Sequence, residues 1–335
     1  MADKAKMGVI GVGGMARYHL RQIMKQNRGT KIVAVCETSP ASLEKAEEVF
    51  REAGKPLPPN QPDFGRFLDQ YASELDAVFI VTPHSFHHDQ TKKCLEAGLD
   101  VLLEKPMVMN AEEARSLIDA RDRSGRLLVV GFPGGLSEAI RKSKQLLCSG
   151  ELGKLLSISG TVWQSWGPGT AGSWRQEPSV SGGGFMFDTG AHMLNTVCDL
   201  AGEDFTQVAA WLDNRGRPVD VMAAIMGRLE SGAYVTINGC GETKRSCASD
   251  IYVFCTDGII RTGQWGERFE IQRGEDQDFQ KEESMTWPNV WDVFLKVRKG
   301  EIPNPCPPEV GLRMAKLWDA IKASAAQGGL PVSAS

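Results

Sequence analysis

Three residues far apart in the sequence, Lys105, Asp188 and His192, are of types that hold and transfer protons. A histidine titrates near neutrality, so His192 is suited to remove an alcohol proton as hydride leaves the same carbon. Asp188 could orient that imidazole or bind a neighbouring hydroxyl group, and Lys105 could hydrogen-bond the reacting oxygen. Alone they identify no reaction, but in a chain that also carries a dinucleotide-binding motif they would indicate hydride transfer between an alcohol and a nicotinamide ring.

The lysine lies in the sequence Glu104-Lys105-Pro106, directly after the apolar run 101–103. We therefore expect it at the carboxyl edge of a sheet, where Pro106 keeps the backbone of the preceding residue extended. Enclosed beside a cationic nicotinamide ring, its ammonium group would give up a proton more readily. Without the other motifs, a surface lysine paired with Glu104 would be the better interpretation.

Asp188, His192 and Asn195 are spaced at i, i+4 and i+7, which predicts one face of a single helix. An isolated polar stripe of this kind is more often a helix cap together with a satisfied core histidine. The glycine triplet 182–184 precedes it and permits close backbone approach, which favours the functional interpretation.

A glycine-rich turn follows the first apolar strand and has the pattern Gly11-x-Gly13-x-x-Ala16. Gly11 allows the turn, Gly13 lets backbone N–H groups reach a pyrophosphate, and Ala16 lets the next helix pack against the strand. An ordinary glycine-rich turn is the alternative. The predicted phosphate site consists of Gly11, Gly13, Gly14, Met15 and Ala16.

Glu37 ends the second apolar strand, where a carboxylate can accept hydrogen bonds from the adenosine ribose. The same charge would repel a 2′-phosphate, and no arginine follows closely. NAD is therefore predicted as the cofactor, with NADP left open. The alternative is a solvated acid at the start of a helix.

Further cofactor contacts are predicted after the third and fourth strands, at the carboxyl edge where open α/β sheets bind ligands. For His84 and His87, a capping or loop hydrogen bond is an equally good interpretation. The predicted cofactor residues at this edge are Thr82, Pro83, His87, Glu104 and Lys105.

The elements that must position these groups follow two patterns. Apolar runs alternate with helical segments over the first ~130 residues, which predicts an α/β domain with a parallel sheet covered on both faces. Segments of alternating polarity then predict an α+β domain with a large, mostly antiparallel sheet. One face of that sheet is expected to mediate oligomerisation.

We place the domain boundary where Pro133-Gly134-Gly135 breaks regular structure. Residues 1–132 form the predicted cofactor domain, and 133–335 form the substrate-binding and oligomerisation domain. A hairpin turn is expected at Asp257-Gly258. Two helices, at about 289–298 and 309–325, close the second domain.

Composition excludes several other classes of protein. The 335 residues carry a net charge of −4, which gives no general attraction to nucleic acid or an anionic membrane. No apolar run reaches the ~18 residues of a membrane span, and the N-terminus shows no leader pattern, so we expect a cytoplasmic protein. The eight cysteines form no C-x-x-C pair, so neither a disulfide framework nor a metal site is predicted.

The motifs together resemble the Gfo/Idh/MocA family, which includes proteins of the glucose-fructose oxidoreductase and inositol dehydrogenase type. They are Gly11-x-Gly13-x-x-Ala16, Glu104-Lys105-Pro106 and Gly182-Gly183-Gly184-x-x-x-Asp188-x-Gly190-x-His192. The resemblance implies a Rossmann domain followed by an open-faced sheet domain, assembled as a homodimer or homotetramer. It also implies NAD(P)-linked oxidation or reduction of a sugar or cyclitol, with Lys105, Asp188 and His192 lining the reacting carbon.

Trp174-Arg175 is similar to a pair found in some sugar-reducing members of the family. It could stack on and hydrogen-bond a polyol, which would make both residues part of the substrate site. A structural loop anchor is an equally good interpretation.

The resemblance leaves alternatives open. Asn195 stands where many members carry aspartate, and the segment 131–135 lacks the arginine or tyrosine often found there. One alternative is an NAD-dependent glycosidase, in which transient oxidation permits elimination and the hydride returns within one cycle. Another is a non-catalytic protein that senses sugar or NAD. The sequence does not identify the substrate.

Overall fold

The computed structural model describes residues 4–26, 29–244, 247–282 and 289–334. The chain divides into two compact units, each made of three stretches. The first comprises Met1–Val108, Glu112–Gly131 and Pro288–Pro308, and the second comprises Met109–Ala111, Phe132–Trp287 and Glu309–Ser335. The predicted division after residue 132 differs from these units mainly at 288–308, which belongs to the first unit rather than the second.

The strands of the first unit are short apolar runs: β1 (Ala5–Ile10), β2 (Thr30–Cys36), β3 (Ala77–Ile80), β4 (Asp100–Leu103) and β5 (Leu128–Val130). Among the described residues they form a five-stranded parallel sheet in the order β2-β1-β3-β4-β5. The last three strands are buried along their whole length, as in sheets covered on both faces. The apolar runs that predict these strands, 7–10, 31–36, 77–81, 101–103 and 127–130, match them to within two residues at either end.

The helices alternate with these strands in the first unit and pack on one face of a second sheet later in the chain. Within the described residues they are α1 (Gly14–Gln26), α2 (Pro40–Glu52), α3 (Phe64–Tyr71), α4 (His87–Glu96), α5 (Ala111–Ser124), α6 (Pro133–Leu136), α7 (Glu138–Ser149), α8 (Trp166–Gly169), α9 (Pro178–Ser181), α10 (Phe185–Asp188), α11 (Gly190–Ala201), α12 (Val290–Arg298) and α13 (Pro308–Ala326). In this described part of the chain, no helix is long and apolar enough to cross a membrane.

Helix α12 belongs to the first unit, although the sequence prediction placed it in the second domain. Asn289 caps it by accepting a hydrogen bond from the Trp291 backbone N–H at 2.8 Å. The fully buried Trp291 ring stacks on Phe294, and its Nε1–H donates to Thr30 Oγ1 at the start of β2. The predicted helix is confirmed, but its apolar face completes the core of the first unit.

The second unit contains a larger sheet. Its strands are β6 (Leu155–Trp163), β7 (Phe205–Asp213), β8 (Met222–Leu229), β9 (Tyr234–Cys240), β10 (Ala248–Cys255), β11 (Gly258–Thr262), β12 (Phe269–Arg273), β13 (Gln280–Lys281) and β14 (Val332–Ser333). The described residues form nine strands in the order β13-β12-β11-β10-β6-β9-β8-β7-β14. Only the β6–β9 pair is parallel, so the mostly antiparallel sheet is confirmed for this part of the chain.

Alternate side chains of β8 and β9 are buried and exposed, because successive residues of a strand point to opposite faces. The buried face packs on helices, and at its centre Gly160 leaves room for the Met193 side chain of α11. The other face exposes large apolar side chains: Trp211, Met226 and Tyr234 are each at least half exposed.

The hairpin between β10 and β11 differs by one residue from the prediction. Cys255 pairs with Gly258, so the two loop residues are Thr256 and Asp257. Gly258 joins the strand because its missing side chain leaves room for the backbone oxygen of Gln272 on β12 and for Leu152.

Candidate active site

The glycine turn after β1 lies against the carboxyl end of β3. Gly11 has a φ of +84°, and a Cβ on it would lie 2.7 Å from the Val81 carbonyl oxygen and 3.0 Å from Thr82 Cγ2. Only glycine fits this close approach in this backbone conformation. The strand order reverses between β1 and β3, which is where open α/β sheets bind dinucleotides.

The rest of the turn fits a phosphate group. A Cβ on Gly13 would meet no heavy atom within 4 Å, so the space beside its backbone is open. Gly14 begins α1, whose first N–H groups form an anion-binding terminus. Ala16 is buried and Met15 is 44% exposed. The predicted phosphate residues therefore occupy one turn and the first turn of α1.

Glu37 is held at the end of β2 by the glycine turn itself. Its Oε2 accepts a hydrogen bond from the Val12 backbone N–H at 2.8 Å, and its Oε1 accepts one from Ser39 N–H at 2.7 Å. Each carboxylate oxygen has a second lone pair, so the group can also accept ribose hydroxyls. The geometry suits the predicted adenosine contact.

The carboxylate of Glu104 is buried and paired. His19 Nε2 on α1 lies 2.7 Å from Glu104 Oε1, and the Lys105 backbone N–H donates to Oε2 at 3.0 Å. Burial by itself raises the pKa of Glu104, but the hydrogen bond from His19 and the nearby charges of His19 and Lys105 hold that pKa below its usual range. Glu104 is therefore an ionised anchor for the lysine segment, and Lys105 is half-buried beside it.

The His87 ring contacts two backbone carbonyls. Its Nδ1 lies 2.7 Å from the Pro106 oxygen, and its Nε2 lies 2.9 Å from the Thr82 oxygen. Burial is the main cause that lowers the pKa of His87 below the usual 6.5, although both carbonyls oppose the shift. The ring is fully buried. The geometry supports the loop-bonding interpretation of His87, while cofactor contact through this residue stays a prediction.

Thr82 and Pro83 line the same edge of the sheet. Thr82 Oγ1 donates to Gln90 Oε1 at 2.6 Å, which joins the loop after β3 to helix α4. Pro83 precedes the short 3-10 helix His84–Phe86. Both predicted cofactor residues are therefore fixed at the carboxyl end of β3, next to Gly11.

In the second unit, Asp188 is buried and one of its oxygens receives two donors. Trp166 Nε1–H donates to Oδ2 at 2.8 Å, and Arg175 Nε–H donates to the same atom at 3.0 Å. The Arg175 guanidinium also lies 4.6 Å from the Trp174 ring centre, in a cation–π contact. The structure thus brings three of the four predicted substrate residues, Trp174, Arg175 and Asp188, together.

The glycine triplet allows dense packing around the start of α10. A Cβ on Gly184 would lie 2.0 Å from the Asp220 backbone oxygen, and one on Gly183 would lie 2.5 Å from the Trp318 ring. The Asp220 carboxylate accepts backbone N–H bonds from Gly184 at 2.7 Å and from Met186 at 3.1 Å. The triplet therefore sets the backbone path that leads to Asp188.

Asp188 and His192 do not share one helix, which corrects the sequence prediction. Asp188 ends α10, and His192 belongs to α11. Thr189 between them keeps helical dihedral angles of −76° and −43°, but the His192 N–H bonds to the Thr189 carbonyl, three residues back. The Thr189 hydroxyl donates to Gln164 Oε1 at 2.7 Å, which fixes this junction.

The His192 imidazole lies between two aromatic rings. Its ring centre is 5.5 Å from that of Trp265 and 6.1 Å from that of Phe132, both in edge-to-face geometry. Asn195 is buried one turn further along α11, and among the described residues its Oδ1 has no hydrogen-bond partner. The two aromatic rings limit how the His192 ring can turn.

Sequence reasoning missed several residues that shape these sites. His19 gave a usable signal, because it is a polar residue on the apolar stripe of α1 next to Ala16 and Leu20. Trp166 and Asp220 gave none, since their partners lie 22 and 34–36 residues away. Trp265 was missed in the same way.

Two family models match this chain in sequence. Residues 5–132 match the family model described as "Oxidoreductase family, NAD-binding Rossmann fold", and residues 140–261 match the "GFO/IDH/MocA C-terminal domain". The chain belongs to the Gfo/Idh/MocA oxidoreductase family. The predicted fold class, a Rossmann domain followed by an open-sheet α+β domain, is confirmed.

Two relatives and one solved structure of this family illustrate the likeness. The scyllo-inositol 2-dehydrogenase (NAD(+)) of Bacillus subtilis is 27% identical over 209 residues, which cover 62% of this chain and 57% of that protein. The levoglucosan dehydrogenase of Pseudarthrobacter phenanthrenivorans is 29% identical over 181 residues, covering 52% and 45%. The chain thus spans about half the length of these relatives. The structure of a levoglucosan dehydrogenase in complex with NADH superposes with a TM-score of 0.84 at 22% identity, over 99% of this chain and 100% of that one.

We expect Gly184→Ala to destabilise the second unit. The added Cβ would overlap the Asp220 backbone oxygen at 2.0 Å, so the backbone must shift, at a cost of about 2–3 kcal/mol. Gly169→Ala is the matched control, because a Cβ there meets nothing within 4 Å and the free energy of unfolding should change by less than about 0.5 kcal/mol. Urea denaturation of both variants measures the difference, and equal stabilities would contradict this account of the triplet.

We also expect acid to destabilise the protein in two steps. The folded pKa of His87 is below its usual 6.5, so below that pH the unfolded chain binds a proton that the folded chain does not, and stability is lost as pH falls. Glu104, whose folded pKa is also lowered, adds a second loss below about pH 4.5. Urea denaturation from about pH 7.5 to about 5.5 should show a smaller decrease in H87N than in the unmodified protein. Equal slopes would show that His87 does not contribute to the first step.

Proposed function

We propose that this protein is an NAD-dependent dehydrogenase that transfers hydride between the nicotinamide and a secondary alcohol or ketone of a sugar, sugar derivative or cyclitol. The observation that carries the proposal is the arrangement of the first unit. There the glycine turn, the Glu37 carboxylate and the Lys105 segment all lie at one carboxyl edge of a parallel sheet. Named relatives that act on inositol and levoglucosan support the substrate class.

The residues of the first unit fit a dinucleotide. The open backbone at Gly13 suits a pyrophosphate, and Glu37 suits the ribose hydroxyls and disfavours a 2′-phosphate. These features favour NAD over NADP. We assign cofactor contact to Gly11, Gly13, Gly14, Met15, Ala16, Glu37, Thr82, Pro83, Glu104 and Lys105, and we assign His87 to the same site through its bond to the Thr82 backbone.

The proposed chemistry needs a hydride acceptor, which bound NAD supplies, and groups that handle the alcohol proton. His192 takes the hydroxyl proton as general base, and the Lys105 ammonium hydrogen-bonds the oxygen as its carbon is oxidised. Asp188, already held by Trp166 and Arg175, binds a neighbouring hydroxyl and orients the imidazole. Arg175 and the Trp174 ring bind the polyol by hydrogen bonding and stacking.

We further propose that the protein forms a homodimer or homotetramer through the open face of the nine-stranded sheet. Exposed apolar side chains that gather on one face often mark a protein–protein contact, and Trp211, Met226 and Tyr234 lie on that face. A second copy would cover them. The predicted cytoplasmic location stays a prediction.

We expect Lys105 and His192 to be far more important for turnover than for cofactor binding. We expect Lys105→Ala and His192→Ala each to lower kcat by about 100-fold or more, because each removes a group that handles the proton. The assay follows absorbance at 340 nm with NAD or NADP and a panel of sugars, sugar acids, inositols and anhydrosugars. NADH binding, measured by fluorescence, should remain within a few-fold of the unmodified protein.

Matched controls for these variants are Lys93→Ala and His88→Ala, on helix α4. Lys93 pairs with the exposed Asp89, and His88 bonds Ser116. Wild-type turnover in K105A and H192A would sink the catalytic assignment. Glycoside cleavage with no net change at 340 nm would favour the NAD-dependent glycosidase, and NADH binding without any turnover would favour a sensing protein.

Assembly through the open sheet should be sensitive to charge on that face. We expect the double variant M226E/Y234E to sediment as a smaller species than the unmodified protein at micromolar concentration, because buried carboxylates would lack partners. Tyr18→Glu, at an exposed tyrosine of helix α1 in the first unit, is the control and should leave the sedimentation coefficient unchanged. A monomeric unmodified protein would refute the proposed assembly.

A further inference from the structure

The His87 ring links the loops after β3 and β4, just beyond the point where these two strands stop pairing. The β3–β4 ladder runs to Ile80 and Leu103, and the Glu104 N–H then bonds the Ile80 carbonyl at 2.9 Å. Two residues further along each loop, the contact passes to the His87 ring, which reaches the Thr82 and Pro106 carbonyls.

The two carbonyls belong to functionally distinct segments. Thr82 directly precedes Pro83 on the predicted cofactor edge, and Pro106 directly follows Lys105. The ring therefore anchors the chain at the residue directly bonded to Lys105. Because the ring is fully buried, it acts on these segments through their backbones.

The neutral ring cannot serve both carbonyls at the same moment. Neutral imidazole has one N–H, on either Nδ1 or Nε2, and burial favours this neutral form. Each tautomer therefore bonds one loop. Asparagine and glutamine can separate the two bonds, because the Asn amide nitrogen reaches roughly where Nδ1 lies and the Gln amide nitrogen roughly where Nε2 lies.

We propose that His87 is a positioning residue: in its Nδ1–H tautomer it bonds Pro106 and sets the direction of Lys105, and in its Nε2–H tautomer it bonds Thr82 and shapes the cofactor edge. This inference rests on the proposed dehydrogenase function. It assigns His87 no contact with substrate or with the reacting atoms.

The test compares H87N and H87Q in kcat and in NADH affinity. H87N keeps a donor toward Pro106, so kcat should stay within about threefold while the Kd for NADH rises several-fold. H87Q keeps a donor toward Thr82, so the Kd should stay near that of the unmodified protein. Its kcat should fall by about tenfold or more, since small misplacements of a catalytic group are costly. General destabilisation does not produce this crossed pattern.

The matched control is H88Q, the same substitution at the next residue of α4, where the His88 ring bonds only Ser116 among the described residues. It should match the unmodified protein in both quantities. Thermal melting selects a temperature at which every variant is folded. If H87Q does not fold, H87N alone decides, by a raised Kd with kcat kept.

The results separate a failure of the proposed function from a failure of the positioning role. An unmodified protein that neither binds NADH nor turns over any compound of the panel refutes the proposed function and this inference with it. An active unmodified protein whose H87N and H87Q variants lose kcat and affinity in equal proportion, or lose neither, refutes the positioning role alone.

Discussion

The first unit depends on removing one carboxylate, that of Glu104, almost completely from water. An unpaired buried charge costs several kcal/mol or more, so the loop after β4 is stable only where donors meet both oxygens. His19 supplies one donor and the backbone of Lys105 supplies the other. Because His19 lies on α1, whose first turn belongs to the proposed phosphate site, the same pair fixes the lysine segment relative to the glycine turn.

In the second unit, hydrogen bonds from distant residues likewise hold short elements that have little stability of their own. Helix α10 spans only Phe185–Asp188, too short to form without outside support. Asp220 binds the backbone at its start, and Trp166 and Arg175 bind the side chain at its end. The position of Asp188 is thus determined from both sides by groups distant in sequence.

The sequence predicted the parts of this structure that follow from local physics. The strands of the first unit are unbroken apolar runs, and the need for glycine at position 11 follows from the turn itself. The hydrogen-bond partners of buried polar side chains were harder to predict, because the His19–Glu104 pair joins residues 85 positions apart. The i, i+4 spacing of Asp188 and His192 is the same for one helix or two, so it could not reveal the junction at Thr189.

The sequence could not show that α12 belongs to the first unit, because an amphipathic pattern shows that a helix has an apolar face but not which core that face joins.

The position of α12 in the first unit has a consequence for synthesis. After Gly131 leaves the ribosome, Pro308 follows only after an interval on the order of ten seconds or more. Until then the first unit lacks the Trp291 side chain that covers the start of β2. The second unit also awaits α13, which follows α12 closely in the sequence, so both units become complete almost together.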